Sequence, residues 1–291
     1  MIVNIEGNIF ELRNRETCLV QQTLATGRYW EETQLRILFR MIDRTRLRNI
    51  LIIGGHIGSL CIPLARKVLD NDGHVQVFEP HPGTFQHLVD NIRLNQLRNI
   101  TAYNYGAGSK FEVGYFDASH PIHDSNNGHI YTQEDIEQQR RHSTGELAPH
   151  TVNIVPLDQV ELSPFDLVIM DVEGMEYEIL QHAKQKILQN QPIMMIEIWN
   201  NAKRQYENMH QSIEEVVQWI QTELQTMWIG NIADDHIFIP RKWMTIEHLY
   251  TDGTNLVDWA HQHNYITQDQ YQKAKQYNST SDPTPDPSNP I

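Results

Sequence analysis

The chain has only two cysteines, Cys18 and Cys61, in 291 residues. Two cysteines cannot build a disulfide framework, and they fit a reducing, cytoplasmic setting. No apolar run approaches the ~18 residues of a membrane span. The N-terminus MIVNIEGNIFELRNRE has no long apolar core after a basic start, so no secretion signal is expected. Without such a signal, the sequon at Asn278 reads as a chance match. Basic residues are scarce, 23 against 37 acidic, giving a net charge of −14. That balance argues against nucleic acid or an anionic membrane as the main partner. There are 15 histidines, but no H-E-x-x-H and no Cys/His spacing of a zinc site. The dinucleotide pattern G-x-G-x-x-G and a phosphate-binding lysine motif are both absent, which opposes a nucleotide-dependent oxidoreductase. No internal repeat is present.

What is there reads as one large or two modest domains with an ample core: 40% of residues are hydrophobic and 21% charged. Residues 2–10 and 17–22 read as short strands, and Trp30 to Asp43 as an amphipathic helix with Leu35, Leu38, Phe39 and Ile42 on one face. An alternation of strand and helix then begins. Strands are expected at Ile50–Ile53, Val75–Phe78 and Ile100–Tyr105, with helices over 59–69 and 84–95 between them. A polar insertion at 107–150, ending in a short strand at Thr151–Pro156, interrupts the pattern. DLVIMD, a helix over 175–188, the strand PIMMIEI and a helix over 212–224 resume it. The last helix carries Ile213, Val216, Val217, Ile220 and Leu224 on one face. MWIG and HIFIP close it as an antiparallel hairpin. Such alternation predicts an α/β fold, a mostly parallel sheet covered by helices on both faces. The divisions expected are an N-terminal strand/helix cap (1–48), the main domain (49–240), a helical extension (241–277) and a disordered, proline-rich tail (278–291).

Ligands of open α/β sheets bind beyond the carboxyl ends of the strands, so the residues ending each strand are the candidates. The first strand runs into Gly54-Gly55-His56-Ile57-Gly58, where glycine lets the backbone approach a ligand. The second ends in Glu79-Pro80, the third in Gly106-Ala107, the fourth in Asp171 with Glu173 two residues on, and the fifth in Glu197. Glu79 lies 25 residues after Gly54, close to the spacing at which a carboxylate accepts ribose hydroxyls. It can equally be a strand-end residue before Pro80. Without a third glycine for a pyrophosphate, a phosphate-free ribose ligand such as S-adenosyl-L-methionine fits best. Asp171 and Glu173 are placed to hold a divalent cation (Mg or Mn), or to let one act as a base; acids before a helix also stabilise its N-terminus. Glu176 and Glu178 are read as acids of that second kind. His56 and His81 are candidate bases.

Taken together, GGHIG (54–58), FEPHPGTFQHLVDNIRLNQLRNI (78–100), LDQV (157–160), DLVIMDVEGMEYEIL (166–180) and IEI (196–198) resemble the FkbM-type S-adenosylmethionine-dependent methyltransferases. The resemblance runs from about Gly27 to Pro240. It implies a class I methyltransferase (Rossmann-like) fold and O-methylation of a hydroxyl on a sugar or small natural-product-like acceptor. By matching position it implies that Gly54, Gly58 and Glu79 contact the cofactor, and that Asp171, Glu173 and Glu197 lie at the catalytic edge. Asn127 and Gly128 match a closing loop. The chain departs from the family's usual D-x-G-A-N-x-G at Ile52, Gly55 and His56, and has Ile169 where lysine is common. Those changes imply a weaker polar grip on the methionine end of the cofactor. The expected protein is a transferase acting on a small-molecule or glycan acceptor, without nucleic-acid or membrane partners and with homo-oligomerisation open. The competing reading is a catalytically impaired methyltransferase-fold binding module.

Overall fold

A computed structural model describes residues 1–45, 47–116, 150–206 and 209–241, together with 261, 262, 268, 271 and 272. The tail, nearly all of the helical extension, most of the polar insertion and the Asn127–Gly128 loop lie outside the described residues.

Seven strands form the central sheet in the order β11-β12-β10-β9-β3-β4-β5. β3 (Asn49–Ile53), β4 (His74–Phe78), β5 (Ile100–Tyr103), β9 (Leu167–Met170) and β10 (Ile193–Glu197) run parallel. β12 (Asp235–Pro240) lies antiparallel between β10 and β11 (Thr226–Ile232), as the terminal hairpin predicts. Every residue from Ile50 to Ile53 is buried, because period-2 alternation serves two cores. Ile50 and Ile52 face a layer with α2 (Glu32–Arg44), α3 (Cys61–Leu69) and Leu88 of α4 (Pro82–Leu94); Leu51 and Ile53 face α5 (Glu176–Gln181), α6 (Lys184–Asn190) and α8 (Ile213–Glu223). No helix among the described residues is long and apolar enough to cross a membrane.

The amphipathic readings of α2 and α8 agree with the burial of Leu35, Leu38, Ile42, Val216, Ile220 and Leu224. Three readings are corrected. Residues 17–22 are not a strand: α1 (Leu19–Ala25) begins there and buries Val20, Gln21 and Leu24. A short apolar run does not fix its own period, and here the Gln21 amide decides, its Oε1 accepting the N–H groups of Arg13 and Asn14. The single helix over 175–188 is two helices broken at His182–Ala183. Asp158, from LDQV, accepts the N–H of Gln185 (3.1 Å) and Lys186 (2.9 Å) and so starts α6 from outside it. The third strand does not reach Gly106-Ala107. β6 (Gly106–Ala107) joins β8 (His150–Val155) and β7 (Glu112–Phe116) in a separate three-stranded sheet. A short α7 (Asn201–Tyr206) after β10 was not expected.

The N-terminal segment packs onto the main body through side chains. β1 (Ile2–Ile5) and β2 (Asn8–Glu11) form a hairpin, whose backbone is met by α4. Asn95 Oδ1 accepts the N–H of Ile9 at 2.8 Å and its Nδ2 donates to the Ile9 carbonyl at 2.6 Å. Asn91 Oδ1 accepts the N–H of Glu11 at 2.7 Å. Both asparagines belong to the N-I-x-x-N block of the sequence, and that block docks an edge strand whose backbone groups have no neighbour on that side.

Candidate active site

The β3 loop and the end of β9 cross at the carboxyl edge of the sheet. A Cβ on Gly54, whose φ is +95°, would stand 1.9 Å from the Asp171 carbonyl oxygen. One on Gly55 would stand 2.4 Å from Val77 Cγ2, and one on Gly58 2.9 Å from Ile62 Cδ1. The glycines therefore let the loop pack against its own protein, which corrects the expectation that their missing Cβ atoms serve a ligand.

Glu79 closes β4 and is only 7% exposed. Its Oε2 accepts the N–H of His56 at 2.8 Å, and its Oε1 that of His81 at 2.9 Å. Burial pushes its carboxyl up to about 7, against those two hydrogen bonds, which lower it. The carboxylate thus joins the glycine loop to the start of α4. Asn104 Nδ2 holds the same corner, donating to the carbonyls of Glu79 and Pro80. His81 is buried and caps α4, its Nδ1 accepting the Thr84 N–H at 3.2 Å; a capping role replaces the expected base. Gly106 and Ala107 follow two residues later, buried and paired with Ile154 and Val155.

At the other half of the edge, acids converge. Burial raises Asp171 well above the ordinary aspartate value, and the charges of Glu31, Glu173, Glu176 and Asp235 add to it. Glu197 is pushed up to about 9 by burial, then by Asp171, Glu176 and Glu173, while the Trp199 indole, donating to its Oε2 at 2.9 Å, opposes the shift. Lys203 Nζ sits 3.4 Å over the ring of that tryptophan. Glu173 takes φ +55° before Gly174 at φ +96°, so the turn that follows β9 is left-handed at two successive residues.

Three residues of this edge escaped sequence reasoning. Glu176 is no simple helix-terminal acid: it is 1% exposed, and its Oε1 accepts the N–H of Gly174 (3.0 Å) and Val172 (3.4 Å). It holds the turn that carries Asp171 and Glu173, and burial pushes it up to about 7. Asp235 is the cross-strand partner of Glu197 and accepts a hydrogen bond from Gln34 at 2.8 Å. Glu31, at φ +52° before α2, is raised to about 8, by burial first and then by Asp235 and Glu197. Only the repeated acidic strand ends hinted at such a cluster; Glu31 and Asp235 reach it by tertiary packing alone. Among the described residues no three His, Cys, Asp or Glu side chains are disposed to hold a metal ion. The reading of Asp171 as an Mg or Mn ligand therefore finds no donor set.

These shifts have a consequence for stability. A carboxyl whose folded value lies above its unfolded one binds its proton in the folded state first. Stability then falls as pH rises from about 4.5 towards the folded values of about 7, 8 and 9 at Glu79, Glu31 and Glu197. His236 acts oppositely: burial lowers it to about 4, so stability falls as pH drops from the ordinary histidine range towards that value. The three carboxyls outweigh the single histidine, so the thermal midpoint is expected to be highest at about pH 4 to 5 and to decline towards pH 9. Glu197→Gln should flatten the alkaline side and melt a few degrees above wild type at pH 9. Scanning calorimetry across pH checks both, and an unchanged alkaline slope in the variant would contradict the raised Glu197.

A sheet of this order, with a glycine loop, a buried acid one strand along and acids at the fourth and fifth strand ends, defines a class I methyltransferase fold. Residues 53–225, more than half of the chain, match the Methyltransferase FkbM domain, and the chain belongs to that family. No curated protein matches it. Among solved structures it is similar to the methyltransferase FkbM from Methylobacillus flagellatus KT, at 16% identity and a TM-score of 0.43, covering 66% of this chain and 43% of that one. The chain thus spans less than half of that protein. It is also similar to a putative O-methyltransferase from Klebsiella pneumoniae (16% identity, TM-score 0.42, 76% and 87% covered). A third similar structure is an O-methyltransferase from Bacillus cereus in complex with SAH (14%, 0.45, 75% and 86%).

Proposed function

We propose that the protein transfers a methyl group from S-adenosylmethionine to a hydroxyl oxygen of a sugar or other small acceptor. The observation that carries this reading is the buried Glu79 carboxylate beside the glycine loop. A carboxylate offers about four acceptor sites, and backbone N–H groups take two of them. The remaining pair suits the two hydroxyls of a ribose, and among the described residues no cluster of cations that a phosphate would want stands beside Glu79. The donor set therefore fits a nucleoside without phosphate. Bound there, S-adenosylmethionine supplies an electrophilic methyl on a cationic sulfonium.

In this reading Glu79 orients the sugar, and the Gly54–Gly58 loop with His56 borders the methionine end. Pro80 lies next to Glu79, and Gly106 and Ala107 line the corner beyond it. Asp171 would receive the proton that the acceptor hydroxyl loses as its oxygen bonds to the methyl carbon and the carbon–sulfur bond breaks, leaving S-adenosylhomocysteine. Glu173 lends negative charge beside Asp171, while Glu197, pushed up to about 9, stands protonated at neutral pH; an acidic edge of this kind favours a cationic donor and an acceptor that is neutral or positive. Alignment along the oxygen–carbon–sulfur line supplies most of the acceleration.

Calorimetry with S-adenosylhomocysteine tests the proposal, with micromolar binding expected. Glu79→Gln should weaken that binding about 10- to 100-fold, since it replaces one charged acceptor by an amide donor. No heat at millimolar ligand with wild type would favour the binding-module reading, for which the altered first motif at Ile52 and His56 is the supporting feature.

A further inference from the structure

We infer that the N-terminal segment is part of the cofactor site, and that Cys18 is a positioning residue that fixes the His56 ring within the glycine loop. The inference rests on the reading that this loop borders the cofactor. Cys18 Sγ lies 3.8 Å from His56 Nε2, across 38 residues of sequence. Cys18 is 1% exposed, and its own place is set from several sides. Its N–H donates to the Asn14 carbonyl at 3.0 Å. The fully buried Gln21 ties down Arg13 and Asn14 through their N–H groups.

The next loop residue is tethered to the same segment. Asn91 Nδ2 donates to the Ile57 carbonyl at 3.0 Å, while its Oδ1 accepts the N–H of Glu11. His56 is thus held through its ring by Cys18, and Ile57 through its backbone by Asn91, which in turn binds Glu11; Cys18 and Glu11 both precede the matched family region. His56 itself sits at φ +44° with its N–H on Glu79, so its backbone is already fixed and the ring's placement depends on its side-chain contacts. The thiol at 3.8 Å from Nε2 is one such restraint. It also biases the ring towards one tautomer. The family's usual asparagine at this position is smaller; a histidine needs its ring held to present one defined edge to the loop interior.

Two measurements decide the matter. In ligand-free wild type, the imidazole nitrogen signals of His56 should report a single tautomer. In Cys18→Ala they should shift away from the wild-type pattern towards a changed tautomer balance, with the melting temperature held within a few degrees. S-adenosylhomocysteine should bind Cys18→Ala about 3- to 10-fold more weakly, the range of one modest hydrogen bond. Cys18→Ser, with a shorter polar reach, should fall between. Identical His56 signals in wild type and variant, or equal affinity for S-adenosylhomocysteine, would overturn the inference. Averaged tautomers in wild type would overturn it even if Cys18→Ala did not fold. If wild type failed to bind S-adenosylhomocysteine, the functional proposal would fall, while the ring signals would still decide whether Cys18 holds His56.

Discussion

Asp171→Asn is expected to bind S-adenosylhomocysteine within about threefold of wild type and to lose methyl transfer by about 10²- to 10⁴-fold, the usual worth of a positioned general base. The amide preserves the shape of the side chain and removes its ability to take a proton. Turnover is read with methyl-labelled S-adenosylmethionine against a panel of sugars and phenols, using the acceptor that wild type labels best. The variant should also be no less stable than wild type at pH 8, because burial and four neighbouring acids make an ionised Asp171 costly. That pairing, lost turnover without lost stability, separates a chemical role from a structural one. Normal turnover would remove Asp171 from the mechanism and leave Glu197 as the next candidate.

Among the described glycines, Gly54→Ala should be the most destabilising added methyl, costing about 4 kcal/mol or more. Two effects add. The backbone there has φ +95°, and a Cβ would stand 1.9 Å from the Asp171 carbonyl oxygen, so an L side chain is strained and the β9 turn must also move. Gly27→Ala is the matched control: φ is +80° but nothing lies within 4 Å of its Cβ, so only the conformational cost, about 1 kcal/mol, applies. Urea denaturation of the two variants measures the difference. Equal midpoints would mean that the loops do not cross as closely as described.

The parallel core was legible because both faces of β3, β4, β9 and β10 are covered, and continuous apolar runs between turns leave little choice. The candidate site was legible where it depends on strand ends: Glu79, Asp171 and Glu197 each lie at the carboxyl edge of the sheet. It was not legible where partners meet through packing. Glu176 looks like an ordinary first-turn acid until its burial beneath the 172–174 turn is seen. Asp235 begins a hairpin strand, and only the antiparallel register sets it opposite Glu197. His81 was one of two candidate bases on chemistry alone, and its sequence position did not reveal that its Nδ1 accepts the Thr84 N–H and caps α4. The glycines' close packing against Asp171, Val77 and Ile62 was not legible either, since spacing does not reveal what a missing side chain makes room for.

The hydrogen bond from Gln34 to Asp235 joins residues 201 positions apart. Closing so long a segment is entropically slow. On a ribosome, the Gln34 amide would lack this partner until β12 had left the exit tunnel. Chaperone dependence during synthesis, and sensitivity to truncation just before β12, are what such late stitching entails.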